Sequence, residues 1–199
     1  LRLGFSDMTL LDALSWMKVG DKSLREDLEN AYNVSADIGL IAKNIKESGG
    51  IKIIRKMDVI PGVPIRPAAA ERLNSASDII KKVGKSIAQP KLDGFRLQVH
   101  VIKKGNGKEI KFFSRNLQDM SDMFPDLKDE LKKLKVKSLV VEGEAIAYDP
   151  ESNQFLPFQE TVKRKRKYNI EDFAKEFPLK FFIFDVMYLN GKTLISLPY

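Results

Sequence analysis

The sequence predicts an α+β chain: a helical N-terminal segment followed by a domain built on an antiparallel sheet. Three observations carry that prediction. Up to about residue 60, apolar side chains recur at the three- and four-residue spacing of amphipathic helices. A proline-rich break then follows, Pro61-Gly62-Val63-Pro64-Ile65-Arg66-Pro67. Beyond it the pattern changes to strand-like alternation and short apolar runs separated by turn signals.

Each element has a local reason. Ser6 or Asp7 is placed to cap a first helix carrying Met8, Leu11, Leu14, Trp16 and Met17. Ser23 is placed to cap a second, with Leu24, Leu28 and Tyr32. Ser35 is placed to cap a third, with Ile38, Ile41, Ala42 and Ile45, stopped by Gly49-Gly50. Three prolines within residues 61–67 forbid regular helix and favour an extended connector. The domain boundary is therefore placed there, dividing residues 1–62 from 63–199. A helix fits residues 75–85, and strands fit 87–91, 95–103 and 109–113, the last two joined by Gly105-Asn106-Gly107. A helix fits 122–134 and a strand 138–148, ended by Asp149-Pro150. A helix fits 170–176 and a strongly apolar strand 180–188, followed by the turn Asn190-Gly191. The chain opens abruptly on Leu1-Arg2-Leu3-Gly4 and ends at Leu197-Pro198-Tyr199, just after an apolar strand. Elements are therefore expected to be missing at both ends.

Composition narrows the chemistry. With 199 residues, 43% hydrophobic and 31% charged, the chain allows one large or two smaller soluble domains with a packed core. The longest apolar run, Phe181-Phe182-Ile183-Phe184, is cut by Asp185, far short of the roughly 20 residues that span a bilayer. No membrane association is expected, and the first residues do not resemble a signal peptide. The absence of cysteine excludes disulfides, cysteine nucleophiles and thiolate metal sites, and fits an intracellular protein. The single histidine, His100, lies in an alternating run and is expected to be packed or at the surface rather than catalytic. Chemistry must therefore use lysine, arginine, carboxylates and bound metal. The formal charge of +7 points mildly toward a polyanionic partner.

The most informative segment is Lys91-Leu92-Asp93-Gly94-Phe95-Arg96. A lysine is nucleophilic only when neutral, and burial beside other cations favours that state. Arginine stays protonated and cannot replace it. Glycine lets the backbone turn sharply or approach a ligand closely. A lysine and an arginine flanking a carboxylate and a glycine suit a phosphate-handling site. The alternative is a strand end, an Asp-Gly turn and a solvated arginine. Glu142 and Glu144 alternate with apolar neighbours and so share one face of their strand.

Lys-x-Asp-Gly-x-Arg is the signature of the nucleotidyltransferase superfamily of DNA ligases, RNA ligases and capping enzymes. Three further segments follow in the family's order. Ser114-Arg115-Asn116 resembles the ligase segment after the signature. Val141-Glu142-Gly143-Glu144-Ala145 resembles the third motif. Phe184-Asp185-Val186-Met187-Tyr188-Leu189-Asn190-Gly191 is similar to the next. The helical segment, the proline-rich connector and Phe155-Leu156-Pro157-Phe158-Gln159 before Lys163-Arg164-Lys165-Arg166-Lys167 resemble the archaeal and eukaryotic replicative type of ATP-dependent DNA ligase.

That resemblance implies a fragment: the end of a helical DNA-binding domain, then the first part of an adenylation domain with the nucleotidyltransferase (ATP-grasp-like antiparallel sheet) fold. It implies nick sealing in duplex DNA through lysine-AMP and DNA-adenylate, with ATP and Mg²⁺ as cofactors. The alternative is an RNA ligase or an mRNA-capping-type nucleotidyltransferase. Lys91 would be the nucleophile, and Asp93 would orient the reacting groups. Gln89 would meet the adenine edge, where relatives often carry Glu. Arg96 and Arg115 would bind ribose and phosphate, Glu144 the ribose or a metal, and Phe184 would stack on adenine. Phe158, Lys163, Arg164, Lys165 and Arg166 would contact DNA, because charges this dense repel unless phosphate neutralises them. A core position is the alternative for Phe158 and Phe184. The resemblance further implies a monomer, with nicked DNA and a sliding clamp as candidate partners, in the cytoplasm, the nucleoid or a nucleus. It also implies downstream motifs and an OB-fold domain that this sequence lacks, so the isolated chain is expected to seal nicks poorly or not at all.

Overall fold

The computed structural model describes residues 4–166 and 168–198. Leu1, Arg2, Leu3, Lys167 and Tyr199 lie outside the described residues. Four helices come first: α1 (Asp7–Val19), α2 (Arg25–Val34), α3 (Ile38–Lys46) and α4 (Gly50–Arg55). Ser6 caps α1, accepting from the Thr9 N–H at 3.2 Å. The other two caps differ from expectation. Ser23 does not cap α2, because the helix starts at Arg25 and leaves Leu24, which has no side-chain acceptor, at the cap position; the Ser23 N–H is bonded instead to Asp21 at 2.8 Å. Asp37, not Ser35, caps α3, accepting from the Leu40 N–H at 2.9 Å. Gly49-Gly50 does not end the helical segment either. Gly49, at φ 74°, reverses the chain and Gly50 opens α4. The four helices bury Leu11, Leu28, Ala31, Ile41, Ile45 and Ile54 against one another.

After the connector come α5 (Ala76–Val83), β1 (Phe95–Lys104) and β2 (Gly107–Ser114). A short 3-10 turn (Ser121–Met123) leads into α6 (Pro125–Lys133), followed by β3 (Leu139–Ala147) and α7 (Phe158–Val162). The chain continues through α8 (Ile170–Glu176), β4 (Leu179–Leu189) and β5 (Lys192–Thr193). The strand expected at residues 87–91 does not form. Pro90 lacks a ladder donor, and the segment runs without regular structure to Gly94. Asn190 and Gly191, both at positive φ, make the expected turn between β4 and β5.

The strands form one antiparallel sheet in the order β2-β1-β3-β4-β5. Strand alternation sorts β1 into two faces. Phe95, Leu97, Val99 and Val101 point into the main core with Phe112, Phe124, Leu127, Leu131 and Val141. Arg96, Gln98 and His100 point to the other face, where the connector covers Gln98 and His100 and leaves Arg96 partly exposed. Val59 and Ile65 pack there against Val140 and Met187.

The connector is bonded on both sides. Ala36 N–H donates to Pro64 O at 2.8 Å and Arg66 N–H to Asn33 O at 3.1 Å, toward the helices. Toward the sheet, Gly62 N–H donates to His100 Nδ1 at 2.9 Å and Ile65 N–H to Gln98 Oε1 at 2.7 Å. His100 is therefore a packed residue, fully buried and edge-on to Phe113. Burial, helped by the Lys111 charge, lowers its pKa to about 3.

Among the described residues Arg164 is the largest fully buried side chain. Its guanidinium donates to both Asp126 carboxylate oxygens, at 3.1 and 2.6 Å, and to Phe177 O at 2.8 Å. Its expected role in DNA contact is thereby corrected: the charge is consumed inside the fold, tying α7's exit to α6.

Two stability predictions follow from these buried groups. Because His100 titrates lower in the folded chain than in the unfolded one, the unfolded state binds the extra proton between about pH 6.5 and 3. Its contribution is complete above about pH 6.5 and is lost as pH falls, at up to about 1.4 kcal/mol per pH unit. Urea melts across that range should show the slope, and His100→Gln should flatten it. Asp126→Ala strands the buried Arg164 charge and should cost about 3 kcal/mol, whereas Asp126→Leu with Arg164→Met should recover much of the loss in the same melts.

Candidate active site

The site lies at the end of β1 and β3 opposite the β1–β2 hairpin. An open cavity of about 780 Å³ gathers side chains from segments far apart in sequence: the 89–94 loop, β1, the end of β2, β3, α7 and β4. Of the residues singled out in the sequence, Gln89, Lys91, Asp93, Arg96, Arg115, Glu144, Phe158, Lys165 and Phe184 line it. Lys163, Arg164 and Arg166 do not.

Glu144 is held where the loop meets the sheet. Its Oε1 accepts from the Gly94 N–H at 3.2 Å, and the β1–β3 register sets it directly opposite Arg96. Gly94 makes this approach possible, because a Cβ there would sit 2.3 Å from Ala145 O. Burial pushes the Glu144 carboxyl above the ordinary glutamate range. The Gly94 N–H, Lys91 and Arg96 pull it back, and Asp93 adds to the rise. Lys91 and Asp93 are exposed on the loop. The expectation of a desolvated lysine is thus not met by the described residues, which leave the amine facing the open cavity.

The β4 side owes its shape to an irregular register. Glu142 pairs with Asp185 while the next residue, Gly143, pairs with Ile183, so Phe184 has no partner in β3. A bulge of this kind bends a strand and re-aims a side chain. Phe184 consequently leaves the core and lines the cavity half-exposed, with the Arg96 guanidinium 6.0 Å from its ring centre. The core alternative for Phe184 fails on that geometry. Gln89 donates to Phe184 O at 3.3 Å, joining the loop to this strand. Phe158, 39% exposed at the start of α7, is not a core residue either.

The basic run is dispersed rather than presented as one patch. Lys163 pairs with Glu160 at 2.6 Å and lies over Phe177. Arg166 is exposed over the Phe173 ring at 4.3 Å, on the α8 side. Lys165 lies over Phe95 at 5.4 Å and lines the cavity. These contacts, with Arg164–Asp126, moderate the repulsion that was expected to require phosphate.

Two residues, Phe182 and Gln98, escaped the sequence reading, and Glu142 was read only as sharing a strand face with Glu144. Phe182 sits opposite Glu144 and lines the cavity, edge-on to Phe155. Its two-residue spacing from Phe184 was the available signal. Gln98 and Glu142 form a buried pair behind Arg96: Gln98 Nε2 donates to Glu142 Oε1 at 2.9 Å, and Glu142 Oε2 accepts from Arg96 Nη2. The alternation Arg96-x-Gln98-x-His100 in an otherwise apolar strand was the signal for Gln98.

What the fold and cavity bring together is a set of cations, carboxylates and an unstacked phenylalanine from separate segments of the chain. Residues 67–199 match the family model described as the ATP dependent DNA ligase domain, and the chain belongs to that family. The whole chain is 50% identical to a probable DNA ligase of Dictyoglomus turgidum, covering 34% of that protein. It is 44% identical over its whole length to a DNA ligase of Caldivirga maquilingensis, covering 32% of it. The chain thus spans about a third of the length of these curated relatives. Among solved structures, the ligase domain of LigD from M. tuberculosis aligns with 55% of this chain and 31% of its own, at 24% identity and a TM-score of 0.41.

Gly94→Ala should force the loop off Ala145, break the Gly94–Glu144 hydrogen bond and cost about 1–3 kcal/mol. A lowered melting temperature, with faster proteolysis within residues 85–94, is the expected reading.

Proposed function

We propose that this chain is the nucleotide-binding part of an ATP-dependent DNA ligase that seals nicks in duplex DNA. On this reading residues 1–62 are the end of a helical DNA-binding domain. Residues 63–199 are the first part of an adenylation domain of the nucleotidyltransferase fold. The observation that carries it is the assembly of Lys91, Asp93, Arg96, Arg115, Glu144 and Phe184 around one cavity.

In that reading ATP enters with its adenine against Phe184 and Gln89. Arg96 and Arg115 hold ribose and phosphate oxygens through charge-assisted hydrogen bonds. Lys91 Nζ, once deprotonated, attacks the α-phosphorus. The bond from that phosphorus to the β-phosphate oxygen breaks, pyrophosphate leaves, and AMP remains on lysine as a phosphoramidate. The DNA 5′-phosphate then displaces lysine to form DNA-adenylate, and the 3′-hydroxyl displaces AMP to close the nick. Asp93 orients the reacting groups.

Glu144 and Asp93 supply the hard oxygen donors that suit Mg²⁺. Among the described residues no group of three His, Cys, Asp or Glu side chains is placed to hold a metal unaided, so a cation here would share its ligands with the nucleotide. Bound Mg²⁺ would offset phosphate charge as it builds up. On this reading Phe158 and Lys165, which line the cavity, would meet the DNA at the nick, and exposed Arg166 would contact its backbone.

The test is nucleotide binding and labelling. The chain should bind ATP in preference to GTP, and Phe184→Ala should weaken ATP about tenfold through lost base stacking. In a protein carrying this chain at the full length of its relatives, α-phosphate-labelled ATP should label the wild type. Lys91→Ala should abolish labelling and sealing while ATP binding persists. Labelling by GTP alone would move the reading to a capping enzyme, and sealing by the Lys91→Ala protein would overturn the nucleophile assignment.

A further inference from the structure

A continuous run of buried hydrogen bonds leads from the connector to the cavity. Gly62 N–H donates to His100 Nδ1 at 2.9 Å, so the neutral ring carries its proton on Nε2 and donates it to Gln98 Oε1 at 2.9 Å. The same oxygen accepts from the Ile65 N–H at 2.7 Å. Gln98 Nε2 donates to Ile65 O at 3.0 Å and to Glu142 Oε1 at 2.9 Å. All four hydrogen-bonding positions of the Gln98 amide are therefore filled, which fixes its orientation. Glu142, its side chain 8% exposed, passes the run on to Arg96, which faces the cavity.

The physical consequence is coupling. A buried amide with no free position cannot rotate or shift without leaving a partner unsatisfied. Arg96 is bonded to Glu142, Glu142 to Gln98, and Gln98 to the connector backbone. The connector is in turn bonded to α2 and the start of α3 through Asn33 O and the Ala36 N–H. The seating of the helical segment is thereby tied to the placement of a cavity arginine more than 25 residues away in sequence.

We propose that His100, Gln98 and Glu142 are positioning residues. They form a relay that sets Arg96 for phosphate or ribose binding according to how the 61–66 connector is seated. The Arg96 end of this inference rests on the nucleotide reading above; the connector end does not.

Two measurements test the two ends separately. The first is amide hydrogen exchange on the nucleotide-free chain. Glu142→Ala touches neither connector amide, yet it should speed exchange at Ile65 about tenfold by freeing Gln98, as loss of one hydrogen bond would. Unchanged exchange at Ile65 overturns the relay. The second is a double-mutant cycle on ATP–Mg²⁺ affinity. His100→Phe should weaken binding about tenfold in the wild-type background and leave it unaltered when Arg96 is already Ala. His100→Gln, which keeps an acceptor for Gly62, should restore most of it. Gln98→Met repeats the cycle if His100→Phe does not fold. Equal losses in both backgrounds would mean general destabilisation and overturn the positioning role. A wild-type chain that binds no ATP would overturn the nucleotide reading, and the exchange result alone would then decide the relay.

Discussion

Gln98 makes four hydrogen bonds at a position where almost no solvent reaches, and the arrangement of the rest of the molecule depends on them. Its amide closes the side of the sheet that α6 does not cover. It does so by binding the backbone of Ile65, which brings Val59 and Ile65 down on Val140 and Met187. Buried polar groups are costly unless fully partnered. Here each is partnered by a different part of the chain, so the network admits few alternatives. The proline-rich segment that looks like a linker in sequence is consequently a fixed strap between helices and sheet.

The cavity follows from the same sheet by two local departures from regularity. Gly94 lets the loop carrying Lys91 and Asp93 press against Ala145, which brings its N–H onto Glu144. The unpaired Phe184 bends β4 and turns an aromatic ring outward beside Arg96. Gly143, between the two glutamates, has no room for a side chain against Phe181 and the Phe182 carbonyl, so β3 and β4 stay close where the wall is built. Each departure sacrifices local pairing or packing and gains a directed side chain, which is where functional sites commonly depart from ideal geometry.

The basic run shows how charge reads differently in one and three dimensions. Five consecutive cations suggested a single electrostatic patch. A short helix ends at Val162, and the residues after it point in different directions. One guanidinium becomes the anchor between α6 and α7, one ammonium pairs within its own turn, and Lys165 alone of the described four lines the cavity.

The sequence by itself determined the succession of helices and then strands, the place of the connector and the two faces of β1; most of the residues that line the cavity were named by the family resemblance. The first three are local or periodic properties: apolar spacing, prolines and turn residues. It could not determine that α2 would go without a side-chain cap, that Ser35 would yield its cap to Asp37, that residues 87–91 would find no partner strand, or that Arg164 would be buried. Those outcomes depend on which of several competing groups, near or far in sequence, takes a given hydrogen bond or charge. Tertiary structure alone decided that a polar row on β1 would be covered by the connector, that a bulge would free Phe184, and that Lys91 would stand open to the cavity. Register and burial are set between segments, and no single segment contains the information.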